Sequence, residues 1–281
     1  MLKYLDEEQM KEKARLLRIS ILKMLCEAGS GNTGGSLSAI DIMVVLFNNI
    51  MQHDPKDPDW KERDRFILSK GHVCPALYAV LADCGYFKVE ELSCLRKYGS
   101  ILQGHPCMNK TPGLEVSGGS LGQGLSIATG LALGARLNNE KHNIYCMMGD
   151  GETQEGQIWE AAMAAGHYKL DQLCGIVDYN QLQIDGKVDE VMTINPFKDK
   201  WLAFNWNVIE VDGHNVVEVE KAFKQANAYK SKPTVIIAHT VKGKGVSFME
   251  NSAAWHGLVP NKEQLAAALA ELEGEKEVDL L

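Results

Sequence analysis

Two polar residues that each follow an apolar run are the strongest chemical signal in this sequence. Asp150 follows the run 143–148 and a glycine, and Asn180 follows the run 173–178. Between them, residues 157–166 combine strong helix formers with apolar spacing of three and four, which predicts a helix. The segment is therefore typical of a βαβ unit, in which both polar residues lie at the carboxyl ends of neighbouring parallel strands.

This arrangement suits a hard divalent cation. A carboxylate from Asp150, an amide oxygen from Asn180 and a nearby backbone carbonyl favour Mg²⁺ or Ca²⁺ over zinc, with Mn²⁺ as a further alternative. Water and phosphate oxygens usually complete such sets. The backbone N–H of Gly151, expected at a helix N-terminus, would meet the same anion. The sequence thus predicts a metal ion that binds a diphosphate. The ordinary alternative is a strand-to-helix turn in which Asp150 is an N-cap and Asn180 a turn residue.

The pairing of Gly-Asp-Gly with a strand-ending asparagine thirty residues later resembles the diphosphate signature of thiamine diphosphate enzymes. Within that group, residues 149–156 and 180–186 resemble the transketolases. The resemblance implies thiamine diphosphate and Mg²⁺ as cofactors. It also implies specific contacts in these two segments: metal ligation by Asp150, Asn180 and the Leu182 carbonyl, contact of Ile184 with the thiazolium ring, and cofactor binding by Gly151 and Glu155.

Other loops resemble the transketolases in the same order along the chain. The string Ser-Lys-Gly-His that ends at His72 differs from the Asp-Val-Gly-His of deoxyxylulose-phosphate synthases. The resemblance implies that His72 reaches the cofactor and that His105 contacts the donor ketose near the reacting carbon. It places Gly119 and Leu121 against the aminopyrimidine of the cofactor. It also implies that His256 binds cofactor and substrate, and that it transfers a proton to the substrate carbonyl oxygen or stabilises its charge.

One position departs from the family pattern. Asn32 stands where transketolases usually carry a histidine that touches the hydroxyls of the substrate. An asparagine can hydrogen-bond an oxygen but cannot act as an acid or base near pH 7, so we expect an altered substrate range or rate. In the later glycine-rich loop, Lys242 and Lys244 would attract phosphate, although such lysines are mostly solvated. His214 and His239 lie outside any motif and are interpreted as structural.

The alternation of apolar segments predicts an α/β fold, a doubly wound and mostly parallel sheet with helices on both faces. Residues 1–281 are expected to form one domain, with a C-terminal helix and acidic tail at 261–281. Helices are also expected at 6–28, 37–50, 75–84, 89–98, 125–135 and 216–228, and residues 187–200 are expected to be irregular.

Composition limits the classes of function. The net charge of −8 argues against nucleic acid as a partner. Seven cysteines without a Cys-x-x-Cys pair indicate reduced thiols in a cytoplasmic protein. The longest apolar run, near 40–47, is short for a membrane span, and the N-terminus lacks the apolar core of a signal peptide. We therefore expect no membrane partner.

The resemblance also implies a separate partner chain. A complete transketolase has a second domain that binds the cofactor's pyrimidine and supplies a glutamate against its ring nitrogen, and this sequence ends before such a domain. We therefore predict the N-terminal subunit of a split transketolase, active with a separate C-terminal subunit in a two-plus-two assembly that contains a homodimer. The implied reaction transfers a two-carbon ketol unit from a ketose phosphate to an aldose phosphate, as in the pentose phosphate pathway.

Three alternatives stay open at this point. The chain could belong to a deoxyxylulose-phosphate synthase or another ketol-transferring enzyme that uses the same cofactor. It could be a non-catalytic subunit that holds thiamine diphosphate. It could also be a nucleotide-binding α/β protein, but no Gly-x-Gly-x-x-Gly follows the first predicted strand.

Overall fold

Five parallel strands form the centre of the structure, a computed structural model that describes residues 4–274. The strands lie in the order β1-β2-β3-β7-β6, and a separate antiparallel hairpin joins β4 to β5. The bounds are β1 Arg65–Leu68, β2 Ile144–Gly149, β3 Leu173–Tyr179, β4 Leu182–Gln183, β5 Gly186–Lys187, β6 Asn207–Asp212 and β7 Thr234–His239. The parallel sheet predicted from the alternation of segments is confirmed.

Helices cover both faces of this sheet. Alternate side chains of β2 show the division: Tyr145 and Met147 belong to one apolar cluster, whereas Ile144, Cys146 and Met148 belong to the other. Helices α1, α2, α3, α8 and α9 contribute to the first cluster, and α4, α5 and α7 contribute to the second. The helix bounds are α1 Glu7–Ala28, α2 Thr33–Val45, α3 Cys74–Cys84, α4 Gln123–Leu137, α5 Gly156–His167, α6 Val188–Met192, α7 Phe197–Ala203, α8 Val216–Ala228 and α9 Lys262–Gly274.

Local sequence signals set the ends of the longer helices. Asp6 and Gln9 form a reciprocal capping box at the start of α1, and Gly29, with φ of 64°, ends this helix in the left-handed region. Asn215 caps α8 by accepting hydrogen bonds from two backbone N–H groups of its first turn. These ends agree with the helices expected at 6–28 and 216–228.

Helix α2 extends beyond the apolar run 40–47 in both directions. It continues through a π-helical turn, Leu46–Ile50, so that Thr33–Ile50 spans 18 residues with a mean hydropathy of 1.2. By length and composition this segment could cross a membrane, which the apolar run at 40–47 did not suggest. In the structure 83% of the segment is buried inside the protein, as in the core helix of an α/β fold.

Two expectations about short segments were wrong. The helix predicted at 89–98 is only a 3₁₀ helix, Val89–Cys94, because Leu92 is its single buried residue and Arg96 adopts φ of 62°, which ends any right-handed helix. Residues 187–200 were expected to be irregular but contain α6 and the start of α7, since Val188, Phe197 and Trp201 are buried in the core. Within the predicted C-terminal segment, α9 is seen, and residues 275–281 lie outside the described residues.

Candidate active site

A cavity of about 740 Å³ opens at the carboxyl ends of β1, β2 and β3. The parallel sheet brings the ends of these strands to one edge, and loops from distant parts of the chain complete the wall. Every site residue that the sequence nominated lies in the lining of this cavity: Asn32, His72, His105, Gly119, Leu121, Asp150, Gly151, Glu155, Asn180, Leu182, Ile184 and His256. The structure therefore brings all of the nominated residues together, and their individual roles stay predictions.

Asp150 and Asn180 are fixed in place by backbone hydrogen bonds. The strand register pairs Gly149 with Asp178, so the two loop tips leave the sheet side by side. Asp150 accepts the N–H of Gly151 at 2.7 Å on Oδ1 and the N–H of Gln181 on Oδ2. The Asn180 amide oxygen accepts the N–H of Leu182 at 3.1 Å. These bonds give both side chains one orientation before any ligand arrives.

The turn after Asp150 differs from the expected helix start. Gly151–Gln154 is a 3₁₀ turn, and α5 begins only at Gly156. The N–H of Gly151 points back to the Asp150 carboxylate instead of standing free at the N-terminus of α5. A helical turn thus begins at Gly151 as expected, but it is a short 3₁₀ turn with Asp150 as its N-cap, and its first N–H already has an acceptor in the Asp150 carboxylate.

Burial makes Asp150 a poor place for an uncompensated negative charge. Its side chain is 2% exposed, and burial together with the nearby Asp178 raises the pKa of Asp150 to about 6. Neutralising this carboxylate without a proton requires a cation at the cavity wall. The electrostatics of Asp150 thus favour positive charge next to it.

A buried lysine that the sequence analysis did not single out lies at the back of the cavity. Lys70 donates from its ammonium to Asp178, which also accepts the Ser38 hydroxyl at 2.6 Å and the Asn180 amide N–H at 3.2 Å. Burial raises the pKa of Asp178, but the charge and hydrogen bond of Lys70 outweigh it and leave the pKa below its usual value. The signal was present in the sequence, since Lys70 directly precedes Gly-His at the end of an apolar strand.

Lys242 contributes a second buried cation to the lining of the cavity. Its ammonium donates to the Leu182 carbonyl at 2.8 Å and to Nδ1 of His256 at 3.0 Å. Lys242 is 3% exposed, and burial lowers its pKa to about 8. Lys242 is therefore not solvated, and its attraction of phosphate stays a prediction, whereas Lys244 is partly exposed and lies 3.5 Å from Glu250.

The two histidines between these lysines are neutral at pH 7. The rings of His72 and His256 stack with their centroids 5.2 Å apart. Burial, and then the charges of neighbouring lysines, lower the pKa of His72 to about 3 and that of His256 to about 4. Because Lys242 donates to Nδ1 of His256, the ring proton of His256 lies on Nε2 and is available to an acceptor.

Close contacts between loops shape the wall that carries His105, Gly119 and Leu121. A Cβ atom at Gly71 would lie 2.9 Å from the backbone nitrogen of Gly119, so only glycine lets these two loops meet. Gly119 itself has φ of 147° and faces the His105 ring. These contacts explain why glycine occupies both Gly71 and Gly119, where the two loops meet.

Glu152 is a further residue that the sequence analysis missed. Its buried carboxylate accepts the N–H of Gly122 at 2.8 Å, the N–H of Gly149 at 2.9 Å and the Ser69 hydroxyl. Glu152, which itself lines the cavity, therefore joins the loop after β1 and the loop before α4 to its own turn after β2, whereas the nominated Glu155 is exposed.

Asn32 links the first loop to the last one. Its amide nitrogen donates to the backbone carbonyl of His256 at 2.7 Å. Asn32 also lines the cavity, so the same side chain both supports the loop of His256 and faces the space for a ligand.

The oxygen donors of the cavity can be compared with the needs of a divalent cation. Within residues 4–274, no three His, Cys, Asp or Glu side chains form a group that could hold a metal ion. Asp150, Asn180 and the Leu182 carbonyl offer three hard oxygens, and the Leu182 carbonyl already accepts a cationic ammonium. Such a set fits Mg²⁺, which keeps several waters and takes phosphate oxygens as its other ligands.

Comparison with known proteins decides the family. Residues 7–276 match the family described as transketolase, thiamine diphosphate binding domain. The chain belongs to the transketolase family. It is 45% identical to the 6-deoxy-6-sulfo-D-fructose transketolase subunit SqwG of Clostridium sp. (strain MSTE9), across 96% of this chain and 99% of that protein. It is 42% identical to one of the subunits of the apulose-4-phosphate transketolase of Phocaeicola vulgatus, across 91% of this chain and 90% of that protein.

Solved transketolases share the fold. The transketolase of Campylobacter jejuni superposes with a TM-score of 0.91 at 34% identity, across 96% of this chain. The match covers only 43% of that longer chain. The predicted family, the parallel fold and the thiamine diphosphate-binding character of this region are confirmed, and the chain belongs to an enzyme of the transketolase type, which is a transferase.

Proposed function

We propose that this transketolase chain is the cofactor-binding subunit of a split enzyme. In this proposal it works with a separate C-terminal subunit, and the pair transfers a two-carbon ketol unit from a ketose phosphate to an aldose phosphate. The observation that carries the proposal is the extent of the matches. This chain matches 99% and 90% of the lengths of two relatives that are named as transketolase subunits. It matches only 43% of the length of the Campylobacter jejuni transketolase chain.

The charged walls of the cavity supply the binding site for the cofactor. Asp150, Asn180 and the Leu182 carbonyl would hold Mg²⁺, and the ammonium groups of Lys70 and Lys242 would supply positive charge for the diphosphate. These two buried lysines would offset the negative charge of the diphosphate where water cannot screen it. When bound, thiamine diphosphate supplies the carbon nucleophile that cleaves the ketose beside its carbonyl group.

The neutral histidines would contact the substrate and the cofactor. His256 presents an N–H at Nε2, which suits hydrogen bonding to a carbonyl oxygen that gains negative charge during the reaction. His72 would lie beside the diphosphate, and His105 and Asn32 would contact the hydroxyl groups of the sugar. Asn32 donates and accepts hydrogen bonds without changing its charge, so its role is binding and not proton transfer.

The wider setting follows from the same proposal. We place the enzyme in the cytoplasm and in pentose phosphate metabolism, as a two-plus-two assembly of two cofactor-binding chains and two partner chains. The net charge of −8 argues against nucleic acid as a partner, whereas a metal ion and nearby amides can reverse the sign locally for an anionic cofactor or a sugar phosphate. The buried position of Thr33–Ile50 supports a role without a membrane partner.

Product analysis with the partner present tests the proposed function. The two chains are co-expressed and incubated with thiamine diphosphate, Mg²⁺ and pairs of ketose and aldose phosphates, and products are identified by mass spectrometry. We expect the aldose to gain two carbons and the ketose to lose two. In a parallel incubation with pyruvate and a triose phosphate, formation of deoxyxylulose phosphate with release of carbon dioxide would instead assign the related synthase. No product from any of these mixtures would favour a subunit that only holds the cofactor.

The raised pKa of Asp150 predicts how binding depends on pH. Protons compete with the metal for this carboxylate below pH of about 6, so the affinity for Mg²⁺ and cofactor should fall by up to tenfold per pH unit there.

The raised pKa also predicts how the stability of the cofactor-free protein depends on pH. Here acid stabilises the folded state, because the folded protein binds a proton at Asp150 more tightly than the unfolded chain does. The contribution of Asp150 to the free energy of unfolding should rise as the pH falls from about 6 towards 4. Calorimetric titrations and urea unfolding between pH 4 and 8 measure both trends, and an affinity that is constant between pH 5 and 8 would contradict the site.

A further inference from the structure

A cluster of three buried ionisable side chains lies beneath the loop that carries Lys242. Arg18 from α1 donates to Asp41 from α2 with both terminal nitrogens, one of them at 3.1 Å. His214, which follows β6, donates from Nδ1 to the same carboxylate at 2.6 Å. Their side chains are 9%, 7% and 13% exposed, and all three lie outside the cavity lining. The cluster is therefore a buried layer behind the site and not part of its surface.

The second ring nitrogen of His214 contacts the loop itself. Nε2 accepts the backbone N–H of Val241 at 2.8 Å. A backbone N–H can only donate, so Nε2 carries no proton and the proton of the ring lies on Nδ1, facing Asp41. Burial raises the pKa of Asp41, but the charge of Arg18 and the His214 hydrogen bond lower this pKa by more than burial raises it. The carboxylate is therefore ionised. Asp41 thereby fixes the tautomer that lets His214 accept from the loop.

The cluster holds the backbone on both sides of Lys242. Val241 is bound by His214, and the Lys244 carbonyl accepts Nε of Arg18 at 3.1 Å. Between them, Gly243 donates to the Gly34 carbonyl at 3.0 Å. The Lys242 side chain leaves this fixed backbone and reaches the Leu182 carbonyl and His256. A chain of contacts thus runs from the core helices to two of the groups proposed to bind the cofactor.

We propose that His214 is a positioning residue of the cofactor site. It holds the backbone N–H of Val241 through Nε2, and this contact places the Lys242 ammonium between the Leu182 carbonyl and His256. The importance of Lys242 for the cofactor rests on the proposed function, but the positioning of Lys242 is a property of the chain alone. From its sequence His214 had only a structural interpretation, because no motif links it to a site that lies across the loop.

Two substitutions of His214 separate its two contacts. In His214→Asn the amide nitrogen occupies the place of Nδ1, so the bond to Asp41 is kept and Val241 loses its acceptor. In His214→Gln the amide oxygen reaches the place of Nε2, so Val241 keeps an acceptor. The first readout needs no cofactor: Lys242 is labelled with acetic anhydride, and the labelled fraction is measured by mass spectrometry. The second readout is the dissociation constant of thiamine diphosphate with Mg²⁺, measured by calorimetry.

We expect His214→Asn to increase the labelling of Lys242 and to weaken cofactor binding about tenfold, the effect of losing one hydrogen bond in a buried site. His214→Gln should stay within about twofold of the wild type in both measurements, since the contact to the loop is retained. A lower melting temperature in both variants with unchanged labelling and affinity would show a structural role only and would overturn the proposal. If His214→Asn does not fold, Asp41→Asn carries the test, because it removes the charge that fixes the tautomer and should also increase the labelling.

The double variant distinguishes this proposal from the proposed function. In a Lys242→Ala background, His214→Asn should weaken cofactor binding no further if His214 acts through Lys242. A full additional loss there would overturn the positioning role. If the wild type does not bind thiamine diphosphate at all, the proposed function fails, while the labelling of Lys242 still supports or overturns the role of His214.

Discussion

Replacing Asp150 by alanine is expected to abolish the metal-dependent binding of thiamine diphosphate. Asp150 is the only carboxylate in the proposed donor set, and both of its oxygens are held in place by backbone N–H groups. Without it, the metal would keep one amide oxygen and one carbonyl oxygen from the protein, neither of which carries a charge. We expect an affinity at least about 100-fold lower, which corresponds to about 2.7 kcal/mol. Calorimetric titration with thiamine diphosphate, with and without Mg²⁺, measures the loss.

A second carboxylate of the same cavity provides the matched control. Asp185 lines the cavity as well, but it lies exposed in the β4–β5 turn. Because water screens an exposed charge, Asp185→Ala should change the affinity by less than about twofold. If both variants bind the cofactor as tightly as the wild type, or if the wild type binds it equally well without any metal, then Asp150 does not hold a metal.

The core of the site could be predicted because parallel strands impose its geometry. Asp150 and Asn180 are thirty residues apart in the sequence, yet each directly follows a strand, and neighbouring parallel strands end at one edge. No knowledge of the loops was needed to place these two residues together. The loop residues His105, Gly119 and His256 were nominated only by resemblance, because nothing in their spacing shows which loops meet.

The burial of the two cavity lysines could not be predicted from the sequence. Lysines are mostly solvated, and neither the Gly-His that follows Lys70 nor the glycines around Lys242 show that these side chains are 2% and 3% exposed. Their burial depends on acceptors from elsewhere in the chain, namely Asp178 for Lys70 and the Leu182 carbonyl for Lys242. Such pairs form only when the tertiary structure brings them together, and local patterns do not contain that information.

Short helices were the least predictable part of the fold. Residues 89–98 show helical composition, but Leu92 alone is buried within Val89–Cys94, and a short helix without an apolar face is not stable. In α7, by contrast, Phe197 and Trp201 are four residues apart and both enter the core. Tertiary packing thus decided both cases against local sequence preference.

The isolated chain is expected to bind thiamine diphosphate with Mg²⁺ but to transfer no ketol unit. Three apolar side chains at the mouth of the cavity are left exposed: Leu121 at 38%, Ile184 at 70% and Leu258 at 53%. Ile184 is the residue predicted to face the thiazolium ring, so a cofactor bound to this chain alone would have its reactive ring open to water. An open site loses both the exclusion of water and the orientation of the cofactor on which catalysis depends. We expect turnover at least about 1,000-fold below that of the complete assembly.

Reconstitution measures this difference. The chain is assayed for ketol transfer alone, then with increasing amounts of the C-terminal subunit, and activity should rise until the two are equimolar. The control is a partner variant in which the glutamate expected to face the ring nitrogen of the cofactor is replaced by alanine. That variant should still cover the mouth of the cavity and protect Ile184 from solvent, but it should not restore turnover. Activity of the isolated chain within about tenfold of the assembly would contradict the split site, because one chain would then orient and activate the cofactor unaided.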